Sequence, residues 1–179
     1  MSDFWVLVKS VWNNGLYGVN VSQIIIAMAI IFVAMIFRQL FTRFIIHQIE
    51  HLTSRTSNQI DDQVVEALEA PIRFVPIVIG FFLATAYLDL SDGFQIFIDN
   101  INRSLVAFTL FWALHKASDL ASYILQKADK MLSSSMIIWL SKMIKVTFII
   151  IGSATILEIW GIEVAPLIAG LGLFGVAVA

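Results

Sequence analysis

The sequence predicts an all-α integral membrane protein: an N-terminal interfacial helix, then five transmembrane helices, the last of them rich in Gly and Ala. Composition carries the membrane assignment. Of 179 residues, 59% are hydrophobic and 13% charged, against about 25% charged in a soluble domain, and mean hydropathy is +0.89. Spacing is the second observation. Apolar stretches of the length a helix needs to cross about 30 Å of hydrocarbon recur along the chain, each closed by charged residues, Gly or Pro. The third is the stretch Glu163–Ala179, EVAPLIAGLGLFGVAVA, which is apolar after its first residue although Gly and Ala recur throughout it.

Taken in order, residues 1–18 form the first unit. Phe4, Trp5, Val8, Val11 and Trp12 recur at helical steps over a segment too short to span, and two Trp in so short a piece read as a helix lying in the interface. No positively charged region precedes an apolar core, and no small-residue cleavage site follows, so no cleaved signal peptide is expected. Residues 19–160 form a four-helix region. The first span runs from about Val19 to Phe37, and its helix continues to about Leu52 because Leu40, Phe41, Phe44, Ile45 and Ile49 keep one apolar face. Thr53–Glu69 is polar, with Ser57 or Asn58 as cap of a short helix and Asp61 and Asp62 in its first turn.

The second span covers about Ile72–Leu88, with Pro71 where its helix begins or bends and Pro76 as a local kink. Asp89, Asp92 and Asp99 make the next loop acidic, and Phe94, Ile96, Phe97 and Ile98 within it suggest a short segment dipping into the interface. The third span is about Asn102–Leu125 and the fourth about Ser135–Trp160, a hairpin whose tip leaves the bilayer near Lys127, Asp129 and Lys130. Gly161 breaks the chain before the fifth span, residues 161–179. One internal echo is visible: Pro71–Gly80 and Met143–Gly152 share a cation, an apolar run and a closing glycine, which marks either a duplicated hairpin or the ordinary start of a membrane span.

Five spans put the termini on opposite sides. Arg38, Arg43, Arg55 and Arg73 follow span one, and Lys116, Lys127, Lys130, Lys142 and Lys145 lie around the turn after span three, whereas the other side holds Lys9 and Arg103. The Lys/Arg bias places the rich side in the cytoplasm, the N-terminus outside and Ala179 inside.

Little in the chain points to chemistry. It has no cysteine and a net charge of −2, which excludes thiol chemistry and argues against a nucleic-acid partner. No hydrolase, phosphate-loop or paired-carboxylate motif is present, so no enzyme activity and no cofactor are expected. His47 and His51 lie four apart, but no further ligand completes a metal site and a solvated face explains them. His115, Lys116 and Asp119 are either a proton relay at membrane depth or wet residues at a projecting tip. Lys142 and Lys145, three apart at the cytoplasmic end of span four, either snorkel or hold anionic lipid in a crevice, with Arg73 as a counterpart at span two.

At helical spacing the last segment sorts into two stripes. Leu167, Leu171, Phe174 and Val178 are bulky. Ala165, Ala169, Gly172, Val176 and Ala179 are small, and Gly170, Gly175 and Ala177 thin the flanks. Small residues let membrane helices approach closely. The contact is either an ordinary one within a subunit or a ring of copies around an axis. The run WGIEVAPLIAGLGLFGVAVA (Trp160–Ala179) resembles the start of the pore helix of the small-conductance mechanosensitive channel (MscS) family, with Gly161, Ala165, Ala169, Gly172, Gly175 and Ala177 in the family's positions. The resemblance covers about 128–179 in detail and 53–90 loosely.

It implies an extended five-helix member in a bacterial inner membrane, assembled as a homo-oligomer, a heptamer in the family. The protein would be a channel opened by tension to release ions and small osmolytes during hypo-osmotic shock. Ala165, Ala169, Gly172, Val176 and Ala179 would line the pore. Gly170, Gly175, Ala177, Leu167, Leu171 and Phe174 would pack the pore helices. Seven copies of Val176 would form a hydrophobic gate that closes by dewetting. The sequence departs from the family where it ends inside that helix, before the second constriction and the cytoplasmic domain, so either a longer parent chain or a truncated product is expected, the former preferred. Alternatives are a small transporter subunit working through Pro76, His115 and Asp119, or a non-conducting membrane scaffold.

Overall fold

A computed structural model describes the backbone at residues 21–53, 60–88, 90–128, 134–166 and 168–170, and side chains within 21–48, 67–88, 90–119, 135–166 and 168–170. The expected interfacial helix at 1–18 and the end of the chain beyond 170 lie outside these residues. Among the described residues there is no strand, and four long helices account for nearly everything: α1 Val21–Thr53, α2 Ile60–Ala86, α3 Asp92–Ala128 and α4 Ser134–Ile159. Three stretches are long and apolar enough to cross a membrane: Val21–Gln48, Ala67–Ala86 and Ser135–Ile159. They correspond to the first, second and fourth expected spans. The third and fifth expected spans do not reach that standard among the described residues.

α1 is apolar on every side. Ile25, Met28, Phe32, Val33 and Ile36 are exposed on a broad face of it, and its other face packs on α2, a distribution that water would not tolerate and lipid does. α2 begins at Ile60, ahead of the apolar stretch Ala67–Ala86, so the end of the polar stretch and the second span are one helix rather than a short capped helix followed by a second one. Pro71 and Pro76 both lie inside it, and both are buried. Of the two readings of Pro71, as start or as bend of the helix, the start is therefore corrected: it sits about three turns in, inside a continuous helix.

The acidic loop after span two is also shorter than expected. α3 starts at Asp92, so Phe94, Ile96, Phe97 and Ile98 are part of a long helix and not a separate dipping segment. Ser91 explains the start: its carbonyl accepts from Phe94 N at 2.9 Å and Gln95 N at 2.8 Å, with Asp92 in the positive first turn.

The chain divides into two compact units, Met1–Asn102 and Arg103–Ala179. In the first, α1 packs against α2 with Ala34 pressed onto Gly80, where an added Cβ would overlap the Ala34 methyl. Asn102 Nδ2 donates to Thr85 Oγ1 at 3.0 Å, and both residues are buried. In the second unit, Phe111 of α3 lies against Gly152 of α4, and a Cβ there would meet the ring at 2.9 Å. Gly80 and Gly152 are the two closing glycines of the internal echo. In each unit the second helix offers a glycine notch to a side chain of the helix before it.

Several described hydroxyls share one pattern. Thr42, Thr109, Ser118, Thr147 and Thr155 each donate to the carbonyl one helical turn back, which satisfies the group without a partner from outside the helix.

Candidate functional site

The site suggested by the sequence is the junction where α4 hands over to the last segment. α4 stops as a Schellman turn. Gly161 takes φ +79°; its N–H donates to Glu158 O at 2.9 Å, and Ile162 N donates to Leu157 O at 3.0 Å. These bonds satisfy the terminal carbonyls of α4 and reverse the chain sharply. Helix resumes at residues 164–166 and 168–170, and Val164 is buried at the restart.

Of the expected pore-facing residues, Ala165 and Ala169 are described, and both are exposed. So is Gly170, where an added Cβ would meet nothing within 4 Å. No described helix of this chain covers these three residues. Leu167, Leu171, Gly172, Phe174, Gly175, Val176, Ala177 and Ala179 lie outside the described residues.

Two polar contacts hold α4 to α3. Trp160 Nε1 donates to Ser104 Oγ at 3.1 Å, and Lys145 Nζ forms an ion pair with the Asp119 carboxylate. The step forward from Ser104 to Asp119 on α3 equals the step back from Trp160 to Lys145 on α4. The helices are therefore antiparallel and in step, with the Phe111–Gly152 contact between the two ties. The sequence placed Asp119 beside His115 and left Lys145 for lipid. The structure brings Asp119 and Lys145 together, so this ammonium is engaged by protein. No local spacing rule could find a pair that sits on two different helices.

Lys142 is exposed, one turn nearer the helix start. Arg73 pairs with Glu69 on its own helix, and both side chains are about half exposed, so that pair adds little. His115 lines a cavity of about 240 Å³ with Phe108, Phe111, Trp112, Phe148, Gly152 and Ser153. Its Nδ1 is enclosed and has no partner among the described residues, and the Asp119 carboxylate pairs with Lys145. Among the described residues no group of His, Cys, Asp and Glu could hold a metal ion. A second, wholly apolar groove of about 530 Å³ runs between α1 and α2 beside Pro76 and Gly80.

The described residues thus form an all-helical protein with three membrane-length apolar helices and a sharp glycine turn before its last segment. Residues 142–179 match the family described as "Mechanosensitive ion channel, transmembrane helices 2/3". Over most of its length the chain is 34% identical to an uncharacterized MscS family protein, YhdY, of Bacillus subtilis, covering 89% of this chain and 44% of that protein. An uncharacterized MscS family protein of Aquifex aeolicus is 26% identical, covering 93% of this chain and 46% of the relative. The small-conductance mechanosensitive channel MscMJ of Methanocaldococcus jannaschii is 24% identical, with 93% and 49% covered. No solved structure matches significantly. The chain belongs to the MscS family. It spans less than half the length of these curated relatives.

Proposed function

We propose that this chain is the membrane region of a mechanosensitive ion channel, opened by tension, that passes ions and small osmolytes during hypo-osmotic shock. The observation that carries the reading is the match of 142–179 to the channel's transmembrane helices 2/3, set on a Gly161 turn that separates α4 from the small-residue helix. In this reading the membrane region has five spans behind an interfacial helix at 1–18. Residues 19–160 are the tension-sensing paddle and 161–179 begin the pore helix. The subunits assemble as a homo-oligomer, a heptamer by family resemblance, in a bacterial inner membrane with the N-terminus outside and the C-terminus in the cytoplasm. No step of this function requires an enzyme's chemistry.

The third span is α3. It is less apolar than its neighbours, but it runs in step with α4 between the two polar ties, and a helix bound that way to a spanning helix shares its depth. Ala165, Ala169, Gly172, Val176 and Ala179 line the pore, and Gly170, Gly175, Ala177, Leu167, Leu171 and Phe174 pack one pore helix on the next. The exposure of Ala165, Ala169 and Gly170 in a single chain supports a face that other copies complete. Lys142 and Arg73 meet anionic headgroups at the cytoplasmic boundary. Tension favours the wider pore because it occupies more membrane area, and a ring of Val176 closes the pore by dewetting.

Val176→Asp tests the reading in patches under controlled tension. A wetted gate should open at lower tension, with spontaneous openings at rest. An unchanged threshold would remove Val176 from the gate, and a patch without tension-activated current in the unmodified protein would remove the channel reading itself.

A further inference from the structure

We propose that Asp119 and Lys145 form an ion pair inside the bilayer, and that this pair lets α3 span the membrane in step with α4. The proposal rests on the reading of α3 and α4 as spans.

Depth comes from α4. Trp139 and Trp160 are both exposed, and the helix between them is roughly 32 Å long. That distance matches the hydrocarbon thickness, and Trp collects at its two faces. Lys142 is then one turn inside the Trp139 level, about 4.5 Å, where its stem can reach the boundary. Lys145 is a further turn in, about 9 Å deep. A lysine at that depth is costly unless it is paired, and its side chain is 26% exposed against 51% for Asp119.

The partner comes from α3. Asp119 lies opposite Lys145 in the register that Ser104–Trp160 fixes at the other end. α3 lacks the composition to be a candidate span among the described residues, with His115, Lys116 and Asp119 clustered close together. Pairing with Lys145 neutralises the Asp119 charge. Each ion makes the other tolerable at this level. The pair also fixes register: sliding α3 by one turn would separate the opposite charges in hydrocarbon.

The test uses the full natural protein in bacterial membranes, with any cysteine outside these 179 residues replaced by serine; the 179 residues themselves hold none. Single cysteines go at Gly93, where a side chain meets open space, and at Ala128, the last residue of α3. A membrane-impermeant maleimide reports which face each occupies. In the unmodified background the two positions should label from opposite sides. Asp119→Lys or Lys145→Asp alone should raise the misplaced fraction of the Ala128 site by about tenfold or more. The double exchange D119K/K145D should return it to near the unmodified level, and so should the neutral pair D119N/K145M.

Single variants that label like the unmodified protein would overturn the proposal. So would a double exchange that labels no better than the singles, the outcome expected if Lys145 served a lipid phosphate independently of Asp119. Labelling of both cysteines from one side in the unmodified background would show that α3 does not cross and would overturn it as well. None of these readouts uses current, so tension-clamped patches from the same cells test the channel reading separately.

Discussion

At the scale of single residues, glycine carries most of the specificity in this chain, for different reasons at different positions. Gly161 is needed for conformation: φ is +79° and nothing crowds the position. Gly161→Ala places a Cβ in the left-handed region at a cost of about 1–2 kcal/mol, and Gly161→Asn costs less because Asn tolerates that region. Unfolding in mixed detergent should rank the three Gly, Asn, Ala. Equal stabilities would mean the turn relaxes out of the left-handed region, and the handover from α4 to the last segment would then lack its fixed angle. Gly80 and Gly152 are needed for space instead, since a Cβ would strike Ala34 or the Phe111 ring. The two neighbours can yield differently. Ala34 is held by its own backbone, whereas Phe111 can swing its ring. Gly80→Ala should therefore destabilise more than Gly152→Ala, with overpacking costs in the range of about 1–3 kcal/mol, measured by the same unfolding experiment.

At the scale of elements, the helices most open to reading are those whose ends coincide with an abrupt change of residue type. α4 starts after a polar turn and ends at Trp160-Gly161, and both ends are legible. So is the continuation of α1 beyond the bilayer, because Phe41, Phe44 and Ile45 keep an apolar face past Arg38. α2 and α3 start earlier than their residue types suggest, for one shared reason. Polar residues read as a break, but a helix needs no apolar face while it is outside the membrane. Asp61, Asp62 and Glu66 fall in the first turns of α2, and Asp92–Asn100 in the first turns of α3.

The signal for the α3 start is present in Ser91-Asp92, an N-cap followed by an acid. The apolar cluster behind it outweighs that signal in the sequence. Ser91→Ala keeps the carbonyl that accepts from Phe94 N and Gln95 N and should change the first turn of α3 by less than about 0.5 kcal/mol, with amide exchange at Phe94 and Gln95 unaltered. Faster exchange in S91A would show that the Ser91 hydroxyl caps the helix as well. The Asp119–Lys145 pair is not legible at all. Patterning reports which face of one helix is apolar, and it carries no information about which residue of another helix stands opposite.

At the scale of the whole molecule, the question is what covers the small residues after Gly161. The protein offers an internal contrast that makes it testable. Gly80 is a glycine whose Cβ would collide with Ala34, and Gly170 is one whose Cβ would collide with nothing among the described residues. If Gly170 packs one pore helix against the next, its requirement for smallness exists only in the oligomer. Gly170→Leu should then leave the fold of each subunit intact, with unchanged helicity and membrane insertion, while the oligomer observed by native mass spectrometry in detergent weakens or disappears. Gly80→Leu should do the reverse at the first step, disturbing the α1–α2 pair within each subunit before assembly is reached. The two variants add the same side chain to two membrane glycines, so hydrophobicity and helix propensity cancel between them. An oligomer that survives G170L unchanged would mean that this flank faces lipid, and the packing role would pass to Gly175 and Ala177. An intact subunit that no longer assembles would fix the face on which copies meet, because a residue that no described helix of its own chain covers would have acquired a neighbour from another copy.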